Sequence, residues 1–466
     1  MSKTVINDID FSRYNMKAKV KYKHKTAKGL TPETVEEISR LKHEPDWMRE
    51  FRLKSLEIYN SKPMPEWGVD LSGLDIDDIV AYISPDARKS KTWDDVPKDI
   101  KDTFDRLGIP EAEKEYLAGV GAQFDSEIIY HNIKEKLSKQ GVIFEDFDTA
   151  LQKYPDVIKK YFMKCVPPTD HKFAALHGAI WSGGSFVYVP KGVKVDTPLQ
   201  AYFRMNAPGS GQFEHTLIIV DEGADVHYIE GCSAPQYAVS NLHAGCVELY
   251  VKKGAKLRYS TIENWSRNTY NLNTKRALVD EGGSMIWVSG SFGSKKTMLY
   301  PESVLRGKGA TSDFTSVTFA GHGQHLDTGA KMVHLAPDTS SKVLSKSISK
   351  NGGIANFRGL LKVGPKATGV KTTVQCEGLM LDDKSRNDTL PIIEIQNDQV
   401  DMGYEAKVGK ISEEKIYYLM SRGLSEDDAK ALIVKGFVEP ISGSLPLEYA
   451  VEMSRLINIE MDGSIG

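Results

Sequence analysis

Four copies of one short pattern in the middle of the chain decide the fold. They are Val189-Pro-Lys-Gly192-Val-Lys-Val195, Val220-Asp-Glu-Gly223-Ala-Asp-Val226, Val251-Lys-Lys-Gly254-Ala-Lys-Leu257 and Val279-Asp-Glu-Gly282-Gly-Ser-Met285. Their glycines recur at intervals of 31, 31 and 28 residues, and Gly309 extends the series by 27. Each copy resembles a strand, a tight corner that needs a glycine with positive φ, and a second strand. One such unit is too small to bury its own apolar face, so the repeat predicts stacked units in a parallel β-helix or related β-solenoid.

The pattern leaves one competing fold, because a glycine-containing turn between strands also suits the hairpins of a β-sandwich. Strand-like sequence runs from the break at Val166-Pro-Pro168 to about residue 403. Before that break, Thr31-Pro32 and several later prolines open segments with helical composition, and helical signals return beyond Glu405. We therefore predict a mixed α and β chain with three parts. These are an entirely helical N-terminal domain over 1–170, a β-helix core over 171–404 and a C-terminal helical domain over 405–466.

Composition excludes several classes of function. The 466 residues include 60 Lys and Arg against 63 Asp and Glu, for a net charge of −3. This balance lacks the basic excess of proteins that bind nucleic acid or anionic membranes. Neither a secretory signal nor a run of about 18 apolar residues is present, which predicts a cytoplasmic protein. No P-loop pattern occurs, so we expect that the chain is not itself an ATP-hydrolysing enzyme.

The four cysteines, Cys165, Cys232, Cys246 and Cys376, are widely spaced and form no Cys-x-x-Cys pair. Any thiol chemistry must therefore be assembled in three dimensions or across subunits. Cys232 follows a predicted strand, where composition does not choose between a reactive and an inert thiol, although a buried cysteine is more often a small hydrophobic residue than a nucleophile. Cys165 and Cys246 are interpreted as core or interface residues. The segment Asp225–Glu230, which contains His227, also weakly suits a cupin-like metal site.

Eight further strings are Trp181-Ser-Gly-Gly-Ser-Phe186, Phe203-Arg-Met-Asn206, Tyr228-Ile-Glu-Gly-Cys-Ser-Ala-Pro235, Tyr259-Ser-Thr-Ile-Glu-Asn-Trp265, Thr274-Lys-Arg276, Asp327-Thr-Gly-Ala-Lys-Met332, Ser345-Lys-Ser-Ile-Ser349 and Tyr449-Ala-Val-Glu-Met453. Together they cover nearly the whole chain and resemble the SufB branch of the SufB/SufD family, which serves the SUF iron-sulfur cluster assembly machinery. That family has a right-handed parallel β-helix between helical ends. Its fold agrees with the one that the glycine repeat predicts independently.

The resemblance implies a scaffold for iron-sulfur cluster assembly with two working thiols. Cys232 would accept persulfide sulfur, and Cys376, with Glu405, would bind metal at the nascent cluster. The sulfur path between them would follow the side chains that match the family's, which are Arg204, Asn206, Glu263, Trp265 and Lys275. Two separate thiols make chemical sense, because a thiolate that attacks a sulfane sulfur cannot at the same time be a permanent iron ligand.

Two residues depart from the family pattern. Glu263 stands where a glutamine is expected, and its charge would oppose a migrating sulfur anion unless Lys275 or Arg204 pairs with it. Tyr404-Glu405 replaces a His-Glu pair, and neutral tyrosine is a poorer iron ligand than imidazole. Cys376 and Glu405 are 29 residues apart. Because that is about one turn of the repeat, we expect them to lie side by side near the end of the β-helix.

The resemblance also implies partners. A SufC-type ABC ATPase would dock on the C-terminal helices between Ser412 and Phe437, with Ile416, Leu419, Leu432 and Phe437 as candidate apolar anchors. The other partners would be SufD or a second copy of the chain, a cysteine desulfurase with its sulfur-transfer partner, and apo iron-sulfur proteins. A transient iron-sulfur cluster would be the cargo, and reduced FAD would bind in some complexes.

Two other functions stay open. One is a SufD-like structural role without sulfur acceptance, against which the presence of both Cys232 and Cys376 argues. The other is a β-helix or cupin-like carbohydrate enzyme, which needs an acidic cluster or a His-rich site that the sequence does not suggest.

Overall fold

The repeated glycines form corners of a parallel β-solenoid. The structure is a computed structural model that describes residues 14–442 and 447–462. Gly223, Gly254 and Gly282 have φ angles of 65°, 63° and 60°, and no atom lies within 4 Å of the position that a Cβ would take at any of them. Backbone conformation rather than crowding therefore selects glycine at these corners. Strands of successive coils pair in parallel, which confirms the solenoid and makes the β-sandwich alternative wrong.

The described residues contain 25 strands and 11 α-helices. The strands are β1 (Tyr22–Lys25), β2 (Ile83–Pro85), β3 (Gly119–Phe124), β4 (Glu127–Ile133), β5 (Ile143–Asp146), β6 (Gly184–Val189), β7 (Leu199–Arg204), β8 (Gly211–Gln212), β9 (His215–Val220), β10 (Asp225–Ser233), β11 (Asn241–His243), β12 (Cys246–Val251), β13 (Lys256–Trp265), β14 (Thr269–Asn271), β15 (Thr274–Val279), β16 (Ser284–Gly293), β17 (Lys296–Leu299), β18 (Glu302–Leu305), β19 (Thr311–Ala320), β20 (His325–His334), β21 (Ser340–Ser349), β22 (Ile354–Val363), β23 (Val370–Met380), β24 (Arg386–Ile395) and β25 (Val400–Lys410). The helices are α1 (Pro32–Leu41), α2 (Asp46–Ser61), α3 (Lys98–Leu107), α4 (Ile109–Tyr116), α5 (Glu135–Lys139), α6 (Phe147–Lys153), α7 (Pro155–Tyr161), α8 (Lys172–Ile180), α9 (Glu413–Ser421), α10 (Glu426–Ser442) and α11 (Leu447–Asp462).

Two large sheets form the walls of the solenoid. The ten-stranded sheet has the order β25-β23-β21-β19-β16-β13-β10-β7-β3-β4, and the thirteen-stranded sheet includes β6, β9, β12, β15, β18, β20, β22 and β24. The early coils have three strands each, as in β10, β11 and β12. Later coils have two longer strands, because β20 pairs with both β17 and β18 and so merges two walls into one. The solenoid has about eight turns.

Side chains alternate between the space that the coils enclose, called the lumen below, and the outer faces of the sheets. Val226, Leu257 and Met285 pack in the lumen. Helices α3, α4 and α11 cover the outer face of the ten-stranded sheet, with Phe104 and Met453 in that layer. Helices α6, α7 and α8 cover the outer face of the thirteen-stranded sheet. Within the described residues, no helix is both long and apolar enough to cross a bilayer.

Two predicted domain descriptions differ from the structure. The N-terminal part is not entirely helical, because β3 pairs in parallel with β7, and β5 pairs with β6. All six residues of β3 are buried, and such a short apolar run carries neither helical nor alternating periodicity. At the other end, β25 continues to Lys410, so Glu405 lies inside the last strand and not in the C-terminal helical domain.

Candidate functional site

Cys232 lies on β10 with its thiol among the side chains of the lumen. The parallel register aligns it with Phe203 on β7 and with Glu263 on β13. Glu230, two residues earlier on the same strand, faces the lumen as well, and its Oε1 lies 4.0 Å from the Cys232 Sγ. The alternation of a β-strand therefore brings the predicted sulfur acceptor and a carboxylate together in a buried space.

A buried ammonium group links the two sheets at this level. Lys275 of β15 places its Nζ 3.0 Å from Glu230 Oε1 and 3.2 Å from Glu263 Oε1. All three side chains are at most 1% exposed. The pKa of Lys275 is raised although burial alone would lower it, because Glu230 and Glu263 stabilise its charge. Glu263 is thus paired by Lys275, as the sequence analysis requires, and Arg204 takes no part in this pairing.

Further polar side chains extend this group through the lumen. Tyr259 donates its hydroxyl to Glu230 at 2.5 Å, and Asn271 donates to Glu263 at 2.6 Å. His243 lies between Asn271 and Glu214, at 2.7 and 2.6 Å. The Trp265 ring packs against the His243 ring with 4.3 Å between centroids. A buried network in which most members have hydrogen-bond partners holds its side chains in fixed positions.

The sequence analysis missed Tyr259, His243, Asn271 and Glu214. Only Tyr259 carries a sequence signal, because it alternates with Thr261, Glu263 and Trp265 along β13, and all four face the lumen. His243 on β11, Asn271 on β14 and Glu214 directly before β9 join this group only through the stacking of their coils.

The surroundings of Cys232 favour its neutral thiol. Burial raises the pKa of Cys232 well above its ordinary value, and Glu230, Glu263 and Glu214 raise it further, against the opposing effect of Lys275. Because the thiolate is the nucleophilic form, the resting site holds a protected thiol.

Arg204 and Asn206 lie on the other face of the ten-stranded sheet. Arg204 donates to the backbone carbonyls of Tyr14 and Met16, at 3.0 and 2.6 Å, and to Ser233 Oγ at 3.0 Å. Asn206 exchanges hydrogen bonds with the backbone of Ala18. These two predicted path residues therefore fix the N-terminal segment on the outer face, while Glu263, Trp265 and Lys275 share the lumen with Cys232.

A cleft of about 370 Å³ reaches the backbone around Cys232 from the outer face. Helices α4 and α11 form two of its sides, and Gly231 and Cys232 lie at its sheet wall. The Tyr202 ring lies over Gly231, where an added Cβ would come within 2.6 Å of it. Cys232 is thus close to a surface opening although its own side chain points inward.

The second predicted thiol lies near the end of the solenoid. Cys376 on β23 faces the lumen and is 2% exposed. Its Sγ lies 3.7 Å from the Tyr404 hydroxyl on β25. Burial raises the pKa of Cys376 to about 11 despite this hydrogen bond.

Glu405 does not lie beside Cys376 on the same face, contrary to the prediction. The register pairs Cys376 with Ala406 and Gln375 with Glu405. Glu405 therefore points outward, where its Oε1 lies 2.6 Å from Lys407 Nζ and its Oε2 lies 3.4 Å from Gln375 Nε2. One residue of offset in a strand reverses the face.

The cupin-like alternative is also wrong. His227 lies on the outer side of β10 and contacts Ser260 Oγ at 2.9 Å, whereas Glu230 faces the lumen. The two side chains cannot bind one metal ion from opposite faces of a strand.

Comparisons with known proteins agree with this geometry. Residues 203–437 match the model of the SUF system FeS cluster assembly SufBD core domain, and residues 34–201 match that of the SufBD protein N-terminal region. The chain is 56% identical over 442 residues to the iron-sulfur cluster assembly protein SufB of Bacillus subtilis, covering 95% of each chain. It is equally similar, with the same coverage, to an iron-sulfur cluster assembly SufBD family protein of Staphylococcus aureus strain MRSA252.

The buried group of Lys275, Glu230 and Glu263 yields a prediction about the stability of the chain. We expect Lys275→Met to destabilise the chain by about 3–5 kcal/mol, because it leaves Glu230 and Glu263 buried without a cation. The measurement is the free energy of unfolding from urea titration. Adding Glu230→Gln and Glu263→Gln to the same chain should restore most of the loss. An unchanged urea midpoint in Lys275→Met would show that these charges are not buried together.

Proposed function

The chain belongs to the SufBD family of iron-sulfur cluster assembly proteins and is of the SufB type, and from this premise we propose that it is a scaffold on which a cluster is built and then passed to apo iron-sulfur proteins. The observation that carries the proposal is the Cys232 thiol beside the buried Lys275–Glu230 pair. The cluster is cargo in this role and not a resident cofactor. The four cysteines are free thiols, which suits the reducing cytoplasm where we propose that the protein works.

In the proposed sulfur step, a cysteine desulfurase with its sulfur-transfer partner supplies a persulfide. The Cys232 thiolate attacks the terminal sulfur, a new S–S bond forms at Cys232, and the donor leaves as a thiolate. The Cys232 proton must leave first, and Glu230 Oε1 at 4.0 Å is the near carboxylate that can receive it. The cleft over Gly231 supports this proposal, because it gives a donor segment a route to the strand that carries Cys232.

The lumen network supports sulfur retention. A persulfide on Cys232 is an anion in a buried space, so it needs a nearby cation and hydrogen-bond donors. Lys275 is the cation whose charge favours an anion at Cys232, and Lys275 and the Tyr259 hydroxyl together offset the charge of the neighbouring Glu230 carboxylate. Glu263 and Trp265 continue the polar group along β13, and we propose that sulfur moves along them. Arg204 and Asn206 would then act indirectly, by holding the N-terminal segment that contributes Tyr14 to the cleft.

We propose the last coils as the cluster site, with Cys376 as the ligand from the lumen, whereas the Glu405 carboxylate faces the opposite side of β25 and is not part of this proposal. One such ligand leaves coordination positions open, so a partner subunit would complete the site. Ile392, Ile393 and Ile395 on β24 and Val408 on β25 are exposed apolar residues at this end. Strands with exposed apolar side chains at the edge of a sheet favour pairing with another sheet. SufD or a second copy of this chain is the proposed partner, and reduced FAD stays a prediction.

The C-terminal helices are the proposed docking surface for a SufC-type ABC ATPase. Of the four anchors predicted from sequence, Leu432 is exposed, Leu419 and Phe437 are half-buried, and Ile416 packs in the core. Tyr417 and Tyr418 on α9 are 76% and 57% exposed. Exposed aromatic side chains of this kind are frequent anchors at interfaces. They provide an apolar surface that the sequence analysis did not include.

Sulfur uptake gives the direct test of the proposed function. Incubated with a desulfurase, its sulfur-transfer partner and free cysteine, the wild-type chain should gain a persulfide that Cys232→Ser lacks. Cys165→Ser is the matched control and should be labelled like the wild type. The measurement is peptide mass spectrometry after alkylation. Equal labelling of Cys232→Ser would show that another cysteine accepts the sulfur, and no labelling of the wild type would favour a SufD-like structural role.

The cluster site gives a prediction for iron content after anaerobic reconstitution. Cys376→Ala should lose most iron and visible absorbance, because it removes the thiolate ligand. Glu405→Ala should change little, because its carboxylate faces away from Cys376, and Tyr404→Phe should change little, because it removes only the hydrogen bond to Cys376. If Tyr404→Phe abolished the cluster, the phenol would be a ligand and this assignment would be wrong.

ATPase docking can be tested without truncating the chain. We expect Tyr417→Asp with Tyr418→Asp to weaken binding of a SufC-type ATPase by about tenfold or more, because interface anchors typically contribute about 2 kcal/mol each. Isothermal titration calorimetry provides the measurement. Val239→Asp, at an exposed apolar residue outside these helices, is the control. Equal ATPase affinities for the double tyrosine variant and for the Val239→Asp control would show that the docking surface lies elsewhere.

A further inference from the structure

A second group of metal-binding side chains lies outside the lumen. His177 of α8, His215 of β9 and Cys246 of β12 are buried on the outer face of the thirteen-stranded sheet. One ligand atom from each lies within 4.8 Å of the others. The register of β9 and β12 pairs Cys246 directly with His215. These residues are separate from Cys232, Cys376 and the proposed sulfur path.

The far nitrogens of the two imidazoles lie beside the kinds of acceptor that metal-bound histidines use, although only His177 makes the hydrogen bond. His177 Nδ1 lies 3.1 Å from the Ala244 carbonyl oxygen, which can only accept, so this nitrogen carries a proton. His215 Nε2 lies 3.2 Å from Glu248 Oε2. Metal-binding histidines commonly donate their far N–H to a backbone carbonyl or a carboxylate in this way. The near nitrogens, His177 Nε2 and His215 Nδ1, then face each other at 3.0 Å.

Without a metal ion, one buried ring nitrogen has no hydrogen-bond partner. His177 Nε2 has only a lone pair, so His215 Nδ1 must donate to it. The Nε2 atom of His215 then faces Glu248 without a hydrogen-bond partner. With a metal ion, both near nitrogens would donate lone pairs to it, and His215 Nε2 would carry the proton that faces Glu248 Oε2 at 3.2 Å.

Glu248 is held in position behind His215. Its two oxygens accept hydrogen bonds from the backbone amides of Met163, Cys165 and Val166, at 2.5, 2.7 and 2.8 Å. Arg52, which pairs with Glu44, donates to the carbonyls of Ala179 and Trp181 and so fixes the end of α8 near His177. Rigid supporting groups of this kind are what a precise metal site needs.

We propose that His177, His215 and Cys246 bind one borderline-soft divalent transition-metal ion, Zn²⁺ or Fe²⁺, with Glu248 as the hydrogen-bonded carboxylate behind His215. Imidazole and thiolate donors suit both ions. Binding releases the Cys246 proton, and the dication is then balanced by the thiolate and the Glu248 carboxylate. Ligand atoms around a tetrahedral ion are about 3.5 Å apart, and the three donors lie within 4.8 Å of one another, so shifts of about 1 Å or less would bring them to that spacing. Three protein donors leave the fourth position to a water or a small thiol.

The test uses Co²⁺ as a spectroscopic probe on the full chain after metal removal by a chelator. The background carries Cys232→Ala and Cys376→Ala, so that neither proposed thiol of the assembly site contributes. We expect stoichiometric Co²⁺ binding with a thiolate-to-cobalt charge-transfer band. Cys246→Ser should abolish the band, and the urea midpoint verifies that this variant is folded. Failure of this test leaves the proposed scaffold function untouched, because that function does not use these residues.

The supporting carboxylate gives an independent readout. Glu248→Gln should weaken Co²⁺ binding by about 10- to 100-fold while keeping the charge-transfer band, because Cys246 remains a ligand. Separate competition arms with Zn²⁺ and with Fe²⁺ identify the ion that displaces Co²⁺ more strongly. No charge-transfer band in the double-alanine background, or a band that persists in Cys246→Ser, would overturn the proposal.

Discussion

The Lys275 ammonium in the lumen is the interaction on which the rest of the candidate site depends. It lies on the thirteen-stranded sheet, and both of its partners, Glu230 and Glu263, lie on the ten-stranded sheet. An unpaired charge in such a space would be prohibitive, so the two sheets must keep the register that brings these groups within hydrogen-bond distance. That register also fixes Cys232, because Cys232 follows Glu230 by two residues on the same strand. The same register therefore determines both how the two sheets pack and where the proposed sulfur acceptor lies.

The repeat made the fold predictable, and its interruptions explain what was missed. Glycine corners at positions 192 to 309 occur at nearly constant intervals, and each has a positive φ. Asp338 then takes a corner with a φ of 58°, where the sequence shows no glycine, and Gly369 continues the series. Asp tolerates this conformation better than most residues. The structure therefore contains the later coils, although the glycine repeat that would predict them is interrupted in the sequence.

The site residues were predictable in kind but not always in orientation. Cys232, Glu263, Trp265 and Lys275 share the lumen because their strands stack in one register. Glu405 faces away from Cys376 because the register pairs Cys376 with position 406. The number of residues between two positions predicts the coil on which each one lies. The face of the sheet to which a side chain points depends on the strand register, and a single inserted residue in a corner changes that register. The group around His177 depends on how α8 packs on a sheet, so no local pattern could indicate it.

The central claim is that Cys232 rests as a buried thiol whose ionisation is opposed by Glu230. The most direct measurement is the pH dependence of its alkylation by iodoacetamide in the native chain, followed by peptide mass spectrometry. A thiolate forms only as the pH approaches the pKa, so the rate should be low near neutral pH and should rise without a plateau below pH 9.0. Glu230→Gln should shift this rise to lower pH, because it removes the negative charge nearest to the thiol. A plateau at neutral pH, or a profile that Glu230→Gln leaves unchanged, would contradict the account.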